Sequence, residues 1–256
     1  ISKKIKQEIK FDVSTYSNKK YINPEGFLLK KIFNIEDEIA DPYDFFKVMG
    51  AVSPLLKFKN KIDISKFSPK FLKEEKIFTY DEEILNKLDD NIYLFGWWQV
   101  PKYFDEYKDE IRSIFNIDHE LIDKLYLDKL DEIKKNESVS VHVRMGDYKN
   151  NPIIKKIYDV CDERYYSKAI DLMRKENPSS KFYLFSDDIE KARNMRIFSD
   201  FDHIENQNAS SWNDLFLMSN CKHSIIANSS FSWWGAYLKE NHDTLTIAPS
   251  TWLATG

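Results

Sequence analysis

The sequence predicts an α/β chain with a parallel sheet in its carboxyl-terminal half. From residue 138 onward, strand-like and helix-like runs alternate, and that order needs helical crossovers between parallel strands. Two of the apolar runs end abruptly in polar residues, as strands do when they emerge at a ligand-binding edge. Before them lies a long amphipathic helix pattern ending in Lys134-Lys135-Asn136, which divides the chain near residue 136 into domains 1–136 and 137–256.

Taken in order, residues 1 to 10 alternate Lys with Ile like a helix tail. Glu8 to Val13 then switch to period two, as a half-exposed strand does. From Tyr16 to Asp90 short apolar segments are cut by Pro24, Pro42, Pro54 and Pro69, which predicts several short helices and loops. Tyr93 to Trp98 is a compact aromatic-rich strand pattern that ends in a Gly, Gly96. A helix follows over 118–136, with Asp118 as N-cap and Leu121, Ile122, Leu125, Leu130 and Ile133 as its apolar stripe. The regular part then reads strand 138–144, helix 163–176, strand 181–185, helix 188–195, helix 211–220, strand 223–227, helix 231–240 and strand 244–248.

Composition narrows the function. The 256 residues are 42% apolar and include 18 Phe, 14 Tyr and 6 Trp, enough for a sizeable core and too aromatic for a disordered chain. No run of about 18 apolar residues occurs, so no spanning helix is expected. The chain opens at Ile1-Ser2-Lys3-Lys4, without Met and without a signal-like segment. A net charge of −4 argues against a nucleic-acid partner and leaves room for a small anionic ligand. Only six of the 38 basic side chains are Arg, so each Arg is a candidate for fork-shaped anion recognition. Cys161 and Cys221 lie far apart, and the five His form no zinc-type spacing, so neither a disulfide framework nor a metal is expected. The six Gly fall at 26, 50, 96, 146, 235 and 256; neither a Gly-x-Gly-x-x-Gly turn nor a Walker loop can be built from them.

Three blocks concentrate the chemistry. In Ser138 to Tyr148, Val139, Val141 and Val143 share one strand face, which puts Ser140, His142 and Arg144 on the other, with His142 and Arg144 at the carboxyl end. The competing reading pairs Arg144 with Asp147 in a turn and buries His142 on a core partner. In Phe182 to Asp188 an apolar run ends at Asp187 and Asp188, which either accept ligand hydrogen bonds or cap the next helix. In His223 to Gly235 a strand runs through Asn228, Ser229 and Ser230 into Phe231, Ser232, Trp233 and Trp234. The hydroxyls and free amides of that helix start suit a diphosphate, and equally suit ordinary capping over core tryptophans. Trp97 and Trp98 either stack on sugar faces or belong to a core.

The ordered set, Val141 to Tyr148, Phe185 to Asp188 and Asn228 to Gly235, resembles the motifs of the alpha-1,2-fucosyltransferases of glycosyltransferase family 11. Asp214 to Ser219 and Gly96-Trp97-Trp98-Gln99 with Lys102-Tyr103-Phe104 are similar to further family segments. The resemblance implies a GT-B-like fold, with two Rossmann-like domains facing a cleft. Residues 1–136 would form the acceptor side and 137–256 the GDP-sugar-binding side. It implies GDP-fucose as donor substrate, inverting transfer to the 2-hydroxyl of a terminal β-galactoside acceptor glycan, and no obligatory metal. By the same resemblance Arg144 clamps the diphosphate and His142 lines its pocket. Asp187 or Asp188 receives guanine or ribose donors, and Ser229, Ser230, Phe231 and Ser232 cradle the phosphates. Family members begin with a strand and a Gly-Gly-x-Gly-Asn-Gln loop that this sequence lacks, so the amino-terminal domain is expected to be incomplete, with Ile1 to Lys6 as the rest of the following helix.

The acceptor hydroxyl must lose a proton, and His142 and Asp147 are the base candidates within the first block. A cytoplasmic enzyme of surface-polysaccharide synthesis is expected, soluble or peripheral at the inner face of the membrane. Competing readings are a transferase for another GDP-sugar or linkage, a non-catalytic GDP-sugar or glycan-binding module, and a general nucleotide-binding structural protein.

Overall fold

A computed structural model describes residues 8–14, 27–33, 35, 38–88, 91–146, 152–204, 210–240 and 243–254. The chain is mixed α/β with parallel sheets and divides into two compact units, Ile1–Ile114 and Phe115–Gly256. The helix tail expected at the extreme amino end lies outside the described residues, as does Asp147.

In the first unit the proline-cut stretch forms short elements. β1 (Lys10–Phe11) pairs in parallel with β2 (Glu38–Ile39), with α1 (Leu29–Ile32) between them. α2 (Pro42–Met49) starts on a capping box, in which Asp41 and Asp44 each accept the other's amide, with Pro42 in the first turn. A 3-10 segment, Gly50–Phe58, leads towards β3 (Phe71–Lys73); α3 (Glu82–Asn86), β4 (Tyr93–Phe95) and α4 (Lys108–Ile114) complete the unit. Met49, Leu56, Ile64 and Phe71 form its core, with the Phe71 ring stacked 5.3 Å from Tyr93. The strand expected over Glu8 to Val13 shrinks to two residues. The strand pattern at Tyr93 runs to Phe95 and ends, as expected, at its Gly, where the chain turns and Trp98 takes a left-handed φ of 51°.

The second unit opens differently from the expected helix. Asp118 caps only a 3-10 turn, His119–Leu121. The helix proper, α5 (Lys124–Lys135), begins after Asp123, whose amide and carboxylate are both held by Asn213. That restart rotates the stripe: Tyr126, Leu130 and Ile133 are buried, while Leu125 is exposed.

β5 (Glu137–Val143), α6 (Pro152–Tyr158), α7 (Glu163–Glu176), β6 (Ser180–Ser186), α8 (Ile189–Arg193), α9 (Ser211–Asn220), β7 (His223–Ile225), α10 (Ser230–Tyr237) and β8 (Thr246–Ile247) follow. The four strands are all parallel, in the order β6-β5-β7-β8. Val139, Val141 and Val143 pack with Tyr166, Ala169, Ile170 and Met173 of α7, as their shared face predicts. The opposite face is buried too, and its two serines find partners on or just before β7. Ser138 accepts the Lys222 amide, and the Ser140 and Ser224 hydroxyls meet at 3.2 Å. Among the described residues no helix is long and apolar enough to cross a membrane.

Candidate functional site

The strand order reverses its direction of growth between β5 and β7: β6 lies on one side of β5, β7 and β8 on the other. Parallel sheets receive ligands outside the carboxyl ends of their strands at such a reversal. Arg144 follows β5 there, Asp187 and Asp188 follow β6, and Asn228 to Ser232 follow β7.

Arg144 is partly exposed and is braced by a residue 43 positions away. Its Nη1 lies 3.1 Å from Oδ2 of Asp187. The Met145 amide donates to Oδ1 at 2.7 Å and the Gly146 amide to Oδ2 at 3.0 Å. A carboxylate has about four acceptor positions, so most of this one is spent on the turn after β5. A Cβ on Gly146 would stand 2.4 Å from Oδ2, which explains a glycine where that carboxylate closes in. Expected as a nucleoside acceptor, Asp187 here shapes the Arg144 turn; the pairing of Arg144 with Asp147 considered from sequence falls on a residue outside the described ones.

Asp188 takes the capping role left open by the sequence. It accepts the Lys191 amide, pairs with the Lys191 ammonium at 2.6 Å, and caps α8. Those hydrogen bonds and the Lys191 charge hold its carboxyl below the usual range, against a smaller opposing effect of burial.

His142 points away from solvent, 3% exposed, with its ring 5.5 Å from Phe231 of α10. Burial first, then the Arg144 charge, pushes its pKa down to about 3. A neutral, enclosed imidazole is a weak proton acceptor, so geometry assigns His142 to the wall joining β5 to α10 rather than to proton transfer. Its Nδ1 has no hydrogen-bond partner.

The β7–α10 turn separates scaffolding from open donors. Asn228 is buried and donates to the carbonyls of Tyr158 and Trp252, clasping two distant segments. Ser232 is fully buried and its hydroxyl accepts the Ala227 amide at 3.0 Å. Ser229 is the N-cap residue without a side-chain cap bond, and Ser230 is exposed. What this turn leaves open to a ligand is Ser230 and the first-turn amides of α10, which have no partner within the helix and carry its positive dipole end, with the buried Ser229 beside them. Among the described residues no three His, Cys, Asp or Glu side chains cluster as a metal site. Sequence reasoning missed the Gly146–Asp187 approach; its only trace was a glycine beside the basic residue of the first block.

An arginine at one strand end, a helix mouth at the next and a sheet reversal between them define an α/β protein suited to an anionic ligand. The chain belongs to glycosyl transferase family 11, whose model matches residues 29–255. It is 35% identical over 250 residues, 95% of this chain and 82% of the relative, to an alpha-1,2-colitosyltransferase of Escherichia coli. It is 31% identical, over 72% of this chain and 63% of the relative, to the O-antigen biosynthesis glycosyltransferase WbnK of Escherichia coli. A solved structure of POFUT1 in complex with GDP aligns at 9% identity and a TM-score of 0.41, covering 87% of this chain and 84% of that one.

Proposed function

We propose that the chain transfers L-fucose from GDP-fucose to the 2-hydroxyl of a terminal β-galactoside, with inversion. On this reading the second unit is the donor-binding Rossmann-like domain of a GT-B fold and the first unit serves the acceptor. The observation that carries it is the pairing of Arg144, held by Asp187, with the α10 amino end at one sheet reversal.

The anomeric C–O bond breaks and its electron pair stays on the diphosphate; the acceptor oxygen bonds to the opposite face of that carbon and releases its proton to a base. Charge therefore grows on the leaving phosphate, where a preorganised guanidinium and helix amides lower the barrier without a metal ion. Asp147 is the base candidate that remains from the sequence.

A second reading is favoured by the name of the 35%-identical relative: the donor carries colitose, which is fucose without its 3-hydroxyl. GDP-fucose and GDP-colitose are compared on lactose, with the product linkage read by NMR and chelator present. A 1→2 product from GDP-fucose at the higher kcat/KM supports the proposal. Preference for GDP-colitose selects the second reading, and donor binding without transfer or hydrolysis selects a non-catalytic module.

A further inference from the structure

We infer that Glu74, Trp97, Trp98 and Gln99 form a hexose-binding subsite on the first unit, and that its occupant is the terminal galactoside of the acceptor. The identity of that occupant rests on the proposed function; the site itself rests on geometry.

Glu74 follows β3 and is 5% exposed. Its Oε2 accepts the amides of Trp97 at 2.7 Å and Trp98 at 3.2 Å. Its Oε1 is buried with no partner, and so are Nε1 of Trp98 and Nε2 of Gln99. Leaving three such atoms in one short stretch of the unit unmet costs about 1–3 kcal/mol each, which a polar ligand that reaches them would offset. Gly96 brings the Glu74 and Trp98 side chains side by side. A Cβ there would lie 2.9 Å from Glu74 Oε2 and 3.2 Å from the indole carbon that carries Nε1 of Trp98. The Glu74 side chain and the indole of Trp98 therefore both close on Gly96, which is itself exposed.

Two further features suit a sugar. Trp97 is 67% exposed, an unusual position for an indole, beside this polar cluster. Trp98 holds a φ of 51°, a conformation costly for an aromatic residue, and its ring is fixed edge-on to Tyr103 at 5.8 Å. One carboxylate acceptor and two N–H donors match hydroxyls that donate and accept in turn. A β-galactoside also carries a C–H face that an exposed indole can cover.

Lactose binding is measured by calorimetry without donor, and KM values are measured in the transfer assay. Trp97→Ala is expected to weaken lactose binding and raise its KM about fivefold to tenfold. Trp97→Phe recovers most of that loss. Glu74→Gln keeps one oxygen for the two backbone amides and is expected to cost about tenfold in lactose affinity. Both variants should shift the lactose KM far more than the GDP-fucose KM. Wild-type protein that binds no lactose, or variants that bind it as wild type does, would overturn the subsite. Lactose binding that follows this pattern in a protein inert towards GDP-fucose sinks the proposed transfer and leaves the subsite standing.

Discussion

Asp187 holds Arg144 from the neighbouring strand: guanidinium and carboxylate meet at 3.1 Å, and the same carboxylate receives the amides of Met145 and Gly146. One acidic side chain thus fixes both the direction of the guanidinium and the path of the chain beneath it. If Arg144 stabilises the departing diphosphate, Arg144→Ala should lower kcat by about 10² or more, as loss of a single preorganised donor does. Arg144→Lys should recover little, because an ammonium cannot reproduce the fork. Steady-state transfer, with folding checked by circular dichroism, measures this; a mutant within threefold of wild type removes Arg144 from the mechanism.

Gly146 tests the bracing separately from the charge. Gly146→Ala puts a methyl group 2.4 Å from Asp187 Oδ2, so the carboxylate must swing away and release Arg144. The shift is small, but misplacement by about 1 Å can cost about 10² in rate. A large fall in kcat with a melting temperature near that of wild type is expected. Asp187→Asn, which keeps an acceptor but loses the ion pair, should fall between wild type and Gly146→Ala. Full activity in both would leave Asp187 without a positioning role.

His142 has a pH signature. Its folded pKa is pushed down to about 3 by burial and by Arg144, whereas an unfolded imidazole titrates near 6.5. Between those values the unfolded chain binds the extra proton, so stability rises with pH and is lost as pH falls from about 6.5 towards 3. Asp214 acts in the opposite sense. Burial raises its carboxyl to about 6 despite the Tyr126 hydrogen bond, so its contribution is lost as pH rises from about 4 through 6. Urea unfolding of His142→Phe and Asp214→Asn against wild type, at pH 4 to 8, should therefore give difference curves of opposite slope. Parallel curves for His142→Phe would show that the imidazole is solvated.

The second unit was largely legible because its signals are local and periodic. α7 and α9 fall at 163–176 and 211–220 as read, since Asp162 caps the first and both carry their own apolar faces. The helix expected from Asp118 starts later, because Asp118 caps only a 3-10 turn and the start after Asp123 is fixed by Asn213, 90 residues away. Asp187 could not be read from sequence for the same reason: its partners lie across a strand pairing. The first unit offered little, because its elements run to only a few residues and are held by tertiary contacts rather than by period.

Among those contacts, Asp12 is the one to break. It meets Lys59 at 2.8 Å, with both side chains largely buried, and it also accepts from the Tyr93 hydroxyl. Burial alone would raise its carboxyl, but hydrogen bonds from Lys59, Ser14 and Tyr93 hold it down at about 2. Its contribution is therefore complete above the unfolded value near 4 and is lost as pH falls through about 2. Lys59→Met leaves a buried carboxylate without its cation, which should cost about 3–5 kcal/mol. The double variant Asp12→Leu/Lys59→Met removes both charges and should recover much of that loss, since a buried pair contributes little net stability over an apolar one. Urea unfolding of the two singles and the double closes the cycle. Additive losses would mean that the two groups do not act as a pair and that the amino-terminal strand is anchored by its packing alone.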